Sequence, residues 1–322
     1  MKQIRIQDFE NILIGQTEDA KAATGCTVLV APNGMCAGLD VRGGGPASRE
    51  SELLKPLASA QSIHGIVLSG GSAFGLGCAG GVMKYLRERN IGLDVGTTKV
   101  PLICQSDLFD LTVADPMAYP TEEMGIEAAE RAFSGGNYKD GNYGAGCGAT
   151  VGKWNGMDYC MKSGIGSYAV QIGELKVGAI VAVNALGDIY DWKNGKKVAG
   201  LLSSDKKTFA STEEAMYAHT EAIENKFVSN TTIGVILTNG NFDKTQLCKI
   251  AGMAHNGYAR SIRPVHTSAD GDSIYAVSVG TVNADQDIVG TLAAQVMSEA
   301  ILCAVNAAET AYGYPSSKSI IG

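Results

Sequence analysis

Apolar positions along the chain form two kinds of pattern: short continuous runs, and longer stretches with helical spacing. Runs of β-branched and other apolar residues at 66–69, 179–184 and 233–238 predict buried strands. Residues 24–40 contain two apolar halves around Asn33-Gly34, a dipeptide typical of tight turns. This segment therefore predicts a hairpin whose two arms lie in one sheet.

Two later segments have the spacing of long helices. Asp243 can cap the first of them, and Gln246 stands three residues further on, as in a capping box. The second, 288–308, is the most membrane-like stretch, but polar side chains interrupt it at Gln295, Glu299 and Asn306. We therefore predict a buried amphipathic helix and no membrane partner. Strands before and after such helices predict an α/β fold in which helix layers enclose sheets.

Composition and charge narrow the class of protein. The chain has 322 residues, of which 45% are hydrophobic and 18% charged, a balance typical of a globular protein with a large core. The net charge is −7 and no basic stripe is interleaved with aromatic residues, so no nucleic-acid partner is expected. The N-terminus lacks the apolar core of a signal peptide, and none of the eight cysteines forms a CxxC pair. We expect a cytoplasmic protein with reduced thiols.

The glycine-rich segment 144–153 resembles two nucleotide-binding motifs but matches neither. A phosphate loop has four residues between its glycines, whereas three separate Gly148 from Gly152 here, and Trp154 follows Lys153 where Ser or Thr is needed. The GxGxxA pattern within the segment follows a loop rather than a strand. No pair among the four histidines has metal-ligand spacing. We expect neither a metal nor a cofactor.

A change of composition marks one boundary inside the chain. Residues 187–229 are polar and charged apart from a short apolar run at 198–202, and the end of this stretch predicts an exposed loop. The loop runs directly into the apolar strand that begins at Thr231. Cleavage between Asn230 and Thr231 would therefore disturb the fold least. The alternative is that Thr231 is an ordinary strand residue, and composition alone favours it because threonine is β-branched.

The chemistry of such a cleavage is specific. The Thr231 hydroxyl could attack the carbonyl carbon of Asn230 and form an ester, and hydrolysis of that ester would free the α-amino group of Thr231. A free α-amine has a pKa of about 7.7–8.0, which suits a general base at neutral pH. Nucleophile and base would then belong to one residue, so no histidine is required.

Seven motifs, taken together and in order, carry a resemblance to a known family. They are TGCTVLVAP (24–32), LSGGSAFGLGCAGGVMKYL (68–86), GAGCGATVGK (144–153), MKSGIGS (161–167), VAVNALG (181–187), NTTIGVILTN (230–239) and RPVHTSADGDSIYAVSVG (263–280). The chain resembles the L-aminopeptidase/D-esterases, β-peptidyl aminopeptidases and nylon-oligomer hydrolases from about Thr24 to Tyr312.

The resemblance implies a four-layer α/β/β/α sandwich, an architecture shared with ornithine acetyltransferases. It also implies that the chain is a single domain over 1–322, which cleaves itself into a large chain, 1–230, and a small chain, 231–322. The processed units are expected to form a homo-oligomer such as a tetramer, and the substrates to be small peptides or other amides.

The resemblance also assigns roles to single residues. Thr231 matches the family's nucleophile, Asn184 a residue that stabilises the oxyanion, and Lys153 a lysine of the catalytic site. Asp270 and Asp272 match a pair that orients the new amine and the hydroxyl. An amide N–H aimed at a developing oxyanion can contribute about 3 kcal/mol, and a nearby lysine cation would lower the pKa of the amine.

Each of these positions has a simpler interpretation. Lys153 could be a solvated lysine after a loop, Asn184 part of a turn at a strand end, and the two aspartates a surface turn. Gly70 and Gly71 could only close a strand-to-helix turn, although their backbone N–H groups could also line the site. One departure from the family is Phe109, which occupies a position where relatives can carry a catalytic tyrosine, so the phenolic hydroxyl is missing.

Two other functions remain open on the sequence alone. An acyltransferase of the ornithine acetyltransferase type would use the same threonine but pass the acyl group to an amine instead of water. A non-catalytic binding protein of the same fold would stay uncleaved, and the Phe109 departure favours it. We predict a self-processing amide hydrolase or aminopeptidase, and no motif distinguishes α-peptides, β-peptides, D-amino acid amides and oligoamides as substrates.

Overall fold

The computed structural model describes residues 1–219 and 230–321. Within these ranges the strands are β1 (Lys2–Ile4), β2 (Leu13–Asp19), β3 (Thr24–Val41), β4 (Ala47–Arg49), β5 (Ile63–Ser69), β6 (Leu93–Asp94), β7 (Lys99–Val100), β8 (Ile103–Asp107), β9 (Thr150–Val151), β10 (Met161–Lys162), β11 (Ile165–Ile172), β12 (Leu175–Asn184), β13 (Asp188–Tyr190), β14 (Lys197–Ala199), β15 (Thr231–Gly240), β16 (Ile262–Arg263) and β17 (Ser273–Val282). The helices are α1 (Cys78–Glu88), α2 (Glu122–Phe133), α3 (Thr212–Tyr217), α4 (Lys244–Ser261), α5 (Gln286–Ala307) and α6 (Ser317–Ile321).

Two sheets meet at the long strand β3. One contains β1, β11, β12, β15, β17 and the second half of β3, in that order. The other contains β2, the first half of β3, β5, β8 and β4. Within these two sheets β15–β17 and β5–β8 are parallel pairs, and the remaining pairs are antiparallel. Both sheets therefore contain the same strand, which holds them face to face.

The hairpin predicted for residues 24–40 is wrong. The chain does not reverse at Asn33-Gly34 but continues as one strand, and the pairing register with β5 shifts between Val30 and Met35. Gly34 has a φ of 81°, which only glycine adopts without strain, so the dipeptide forms a bulge rather than a turn. The first half pairs with β5 as well as with the neighbouring β2, and the second half pairs with β17. Pairing with the distant strands β5 and β17 outweighs the local turn preference.

Three apolar clusters lie between four layers of secondary structure, two of helices and two of sheets. Strand β12 illustrates how alternation builds them: Val177 and Val181 lie in the cluster against α4 and α5, whereas Ile180 lies in the cluster between the two sheets. On the other sheet, Val28 packs in a third cluster with Val82 of α1. The order helix, sheet, sheet, helix is the predicted α/β/β/α sandwich, which is confirmed.

The helix predictions hold. Asp243 caps α4 and forms the capping box with Gln246, as the spacing indicates. Helix α5 is long and apolar enough to cross a membrane by length and composition, with a mean hydropathy of 1.8, but 78% of that apolar window is buried inside the protein. Gly166 of β11 lets the helix approach closely, because a Cβ there would lie 2.2 Å from the backbone nitrogen of Ala304. The helix is part of the core.

In the polar stretch 187–229, the described residues 187–219 pack around one buried carboxylate. Asp188 is fully buried, and its carboxylate accepts hydrogen bonds from Lys197 Nζ at 2.5 Å, from Leu201 N at 2.8 Å, and from the backbone and side chain of Thr212 at 2.9 and 2.8 Å. These contacts tie β13, β14 and α3 together. The predicted exposed loop at the end of the stretch, 220–229, lies outside the described residues.

Candidate active site

Thr231 opens β15, in the middle of the first sheet. It is 3% exposed and is the register partner of Asn184, the last residue of β12. Its Oγ1 accepts a hydrogen bond from the backbone N–H of Gly271 at 3.1 Å. A Cβ on Gly271 would lie 2.7 Å from that oxygen, so the close approach requires glycine. The predicted nucleophile is thus a buried hydroxyl held by one backbone donor.

Asn184 and Lys153 form one hydrogen-bonded unit beside it. Lys153 Nζ donates to the side-chain oxygen of Asn184 at 2.8 Å and to its backbone oxygen at 3.2 Å. The same side-chain oxygen accepts from Thr150 N at 3.0 Å, and Asn184 Nδ2 donates to the backbone oxygen of Phe109 at 3.0 Å. Phe109 therefore contributes a carbonyl group to this unit, and Lys153 is not a solvated surface lysine.

Lys153 is 1% exposed. Burial lowers the pKa of its amine to about 7, although nearby acidic groups, among them Asp270 and Asp110, oppose the shift. Near neutral pH its amine is therefore present in both the charged and the neutral form, whereas an ordinary lysine is almost entirely charged.

Asp270 and Asp272 are buried, so they do not form a surface turn. Asp272 Oδ1 accepts from the backbone N–H of Thr232 at 2.8 Å, one residue after Thr231. Asp270 accepts from the backbone and hydroxyl of Thr267 at 2.9 and 2.5 Å. Burial, followed by the charge of Asp272, raises the pKa of Asp270 to about 6.

Gly70 and Gly71 form the turn between β5 and α1. The N–H of Gly70 donates to Gly25 O at 2.9 Å, and that of Gly71 donates to Asp110 Oδ1 at 2.7 Å. Gly71 has a φ of 82°, and a Cβ on Gly70 would lie 2.0 Å from Asp110 Oδ2. Both N–H groups thus have acceptors within the protein, and both positions require glycine for the turn.

The sequence did not single out two acidic residues near this turn. Burial raises the pKa of Asp110 to about 6, while its bonds to Gly71 N and Thr24 Oγ1 act in the opposite direction. Burial also raises the pKa of Asp107 well above its usual range, and its Oδ2 has no hydrogen-bond partner among the described residues. Their only signal is the segment SDLFDL, in which two acids flank apolar residues.

All eight cysteines are free thiols. In the part of the chain that the structure describes, no group of three or more His, Cys, Asp or Glu side chains could hold a metal ion. The site is thus defined by a hydroxyl, an amide, a lysine and carboxylates.

Comparison with solved structures identifies the fold. The chain resembles the L-aminopeptidase D-Ala-esterase/amidase of Ochrobactrum anthropi, described as a prototype for the serine aminopeptidases and a variant of the N-terminal-nucleophile hydrolase fold. The TM-score is 0.67 at 16% identity, and the match covers 95% of this chain and 88% of the other. The fold is that of the N-terminal-nucleophile hydrolases.

The sequence comparison identifies the family. Residues 5–318 match the model of peptidase family S58, and the chain belongs to that family. It is 33% identical to an uncharacterized aminopeptidase of Mycobacterium leprae (strain TN), covering 91% of this chain and 85% of the relative. It is 28% identical to a 6-aminohexanoate-oligomer endohydrolase of Agromyces sp. (strain KY5R), covering 92% and 84%. The resemblance stated from the motifs is confirmed: the protein is a hydrolase of peptide or other amide bonds.

Proposed function

We propose that this protein is a self-processing amide hydrolase in which Thr231 is the nucleophile, first in the cut that frees it and then in substrate hydrolysis. The observation that carries the proposal is the position of Thr231. Its hydroxyl is buried at the start of a central strand, accepts from Gly271 N at 3.1 Å and stands in register with Asn184. An ordinary strand threonine would not need a glycine-only contact on its oxygen.

The cleavage step balances with the residues at hand. Thr231 Oγ1 forms a bond to the carbonyl carbon of Asn230, the bond from that carbon to the Thr231 nitrogen breaks, and the hydroxyl proton passes to that nitrogen. Water then hydrolyses the ester, leaving a carboxylate on Asn230 and a free amine on Thr231. The Gly271 N–H favours the step because it fixes the position of the attacking oxygen.

Asn184 and Lys153 supply the charge stabilisation and the proton transfer in this proposal. The side-chain amide of Asn184, which donates to Phe109 O, is the proposed N–H donor to the oxyanion. Lys153, with a pKa of about 7, can hold or release a proton during the step. When it is charged, it lowers the pKa of the new amine and keeps that amine available as a base.

Substrate hydrolysis repeats the same chemistry. The free amine takes the Thr231 hydroxyl proton, and Oγ1 attacks the amide carbonyl carbon of the substrate. The bond from that carbon to the substrate nitrogen breaks, the departing amine takes the proton, and the acyl group stays on Oγ1 as an ester. Water then hydrolyses the ester to a carboxylate and restores the hydroxyl. The named activities of the two relatives, an aminopeptidase and a hydrolase of 6-aminohexanoate oligomers, support small peptides or oligoamides as substrates. We also propose that the processed chains, 1–230 and 231–322, assemble as a homo-oligomer in the cytoplasm.

Mass spectrometry of the purified protein tests the proposal. We expect two chains divided at 230/231, with Thr231 as a free N-terminus, and a Thr231→Ala variant that stays at the full 33.5 kDa. Thr232→Ala is the matched control, since it removes a neighbouring buried hydroxyl and should still be cut. A wild-type chain that remains intact after long incubation, or a Thr231→Ala chain that is cut at the same bond, would contradict the proposal.

A further inference from the structure

His266 lies next to the predicted site, bonded to Asp272. Both of its donors reach one oxygen of Asp272: the backbone N–H at 3.0 Å and the ring Nδ1 at 2.8 Å. The other oxygen of Asp272 accepts from the backbone N–H of Thr232 at 2.8 Å. The carboxylate therefore bridges His266 and the strand that begins with Thr231.

The backbone conformation of His266 indicates a role in hydrogen bonding and not in packing alone. Its φ is 60°, in the left-handed region that residues other than glycine rarely adopt. This strained conformation brings the backbone donor and the ring donor onto the same oxygen. The other face of the ring packs edge-on against His255, with 4.8 Å between ring centroids. The imidazole is thereby held between a ring and a carboxylate, with its side chain 18% exposed.

We infer that His266 is a positioning residue for the nucleophile: it holds Asp272, and Asp272 holds the start of β15 through Thr232. This inference rests on the proposed function, because it concerns the same reaction. Gly271, whose N–H contacts Thr231 Oγ1, directly precedes Asp272, so the carboxylate that His266 holds also sets the position of that donor. Movement of Asp272 would displace both the donor on Thr231 Oγ1 and the contact with the backbone of Thr232.

Two substitutions separate hydrogen bonding from packing. His266→Phe keeps a ring against His255 but removes the side-chain donor. His266→Asn loses the ring, but its amide N–H can reach where Nδ1 lies, and asparagine tolerates a positive φ well. We expect His266→Phe to slow first-order cleavage of the freshly made chain about 10- to 100-fold, the range for one lost bond to a charged group. His266→Asn should cleave within about threefold of wild type by the same reasoning.

Two further measurements show whether the effect is one of positioning. In the processed enzyme, His266→Phe should lower kcat while leaving KM within about twofold, since a displaced nucleophile affects the transition state more than substrate binding. In ¹⁵N-histidine-labelled Thr231→Ala protein, which stays intact, His266 should give a protonated Nδ1 signal that shifts when Asp272→Asn is added. This second measurement does not depend on activity.

The outcomes distinguish the inference from the proposed function. If the wild type never cleaves, the proposed function fails and the positioning role fails with it. If the wild type cleaves and His266→Phe cleaves equally fast, only the inference fails. The inference also fails if His266→Asn cleaves as slowly as His266→Phe while both variants unfold at similar temperatures, because a change in packing would then explain the slower cleavage. A His266 Nδ1 signal insensitive to Asp272→Asn also overturns it.

Discussion

Replacing Gly271 by alanine would place a methyl group against the predicted nucleophile. The new Cβ would lie 2.7 Å from Thr231 Oγ1 and 2.8 Å from the backbone oxygen of Gly45. Because Gly271 does not have a positive φ, its backbone suits alanine and the effect is confined to these contacts. Relief of the clash must move Thr231 Oγ1 away from the Gly271 N–H, or move the Asp270–Asp272 segment.

The magnitude follows from the two effects. Overpacking by one methyl group costs about 1–3 kcal/mol of stability in a filled interior, which a protein of this size can tolerate. The clash displaces the reacting oxygen itself, and a misplacement of about 1 Å can lower a rate about 10²-fold. We therefore expect Gly271→Ala to fold, and to cleave itself about 100-fold more slowly than wild type.

The assay is a time course of fragment formation after rapid purification, scored on denaturing gels and by intact mass. Gly45→Ala is the matched control in the facing loop, because its Cβ would meet nothing closer than 3.8 Å and its N–H bond to Asp270 O is kept. Thermal unfolding of both variants checks that each is folded. Cleavage of Gly271→Ala at the wild-type rate would refute the reasoning, as would equal slowing in Gly45→Ala.

Three further predictions follow from other contacts. Asn184→Ala removes one acceptor of Lys153, the side-chain oxygen, and the proposed oxyanion donor, so fragment formation on gels should slow about 10²- to 10³-fold; a wild-type rate would exclude the Asn184 side chain from the reaction. The folded pKa of Lys153, about 7, lies below its unfolded value, so the unfolded chain binds more protons between pH 7 and 10 and stability rises with pH there. Relative to Lys153→Met, wild type should gain on the order of a few kcal/mol in urea unfolding from pH 7 to 10, and parallel curves would contradict this. Gly166→Ala places a Cβ 2.2 Å from Ala304 N and should lower the unfolding free energy by about 1–3 kcal/mol, whereas the exposed Gly77→Ala, with nothing within 4 Å, should not.

Local signals predicted the elements of the fold whose causes are themselves local. The capping box at Asp243 and Gln246 places a helix start by contacts within one turn, and the structure has it there. The β-branched run after Thr231 predicts a strand for the same reason. The failure at Asn33-Gly34 has the opposite origin. Whether that dipeptide forms a turn or a bulge depends on β5 and β17, whose residues lie far along the chain.

The candidate active site shows the same limit of prediction from local sequence. The resemblance named Thr231, and the structure adds what surrounds it. Asp110 and His266 carried no pattern of their own, because their environment arises only when the turn at Gly71 and the strand at Thr232 come near them. Likewise, the polar composition around Asp188 concealed a buried carboxylate whose donors come from three separate positions. Burial of polar groups is a tertiary property that composition cannot report.

The pairing order around β15 determines what a cut before Thr231 would leave behind. Along the first sheet, β15 and β17 lie side by side, flanked by β12 on one edge and by β3 on the other. Residues 231–322 would thus provide two interior strands, and each would be paired on its outer side with a strand from residues 1–230. The β12–β15 and β17–β3 ladders would hold the two pieces together, and neither piece could dissociate without breaking both ladders. Cleavage would therefore break the covalent chain without separating the folded protein into two parts. If the two pieces were produced separately, each would expose unpaired strand edges, which are prone to aggregation.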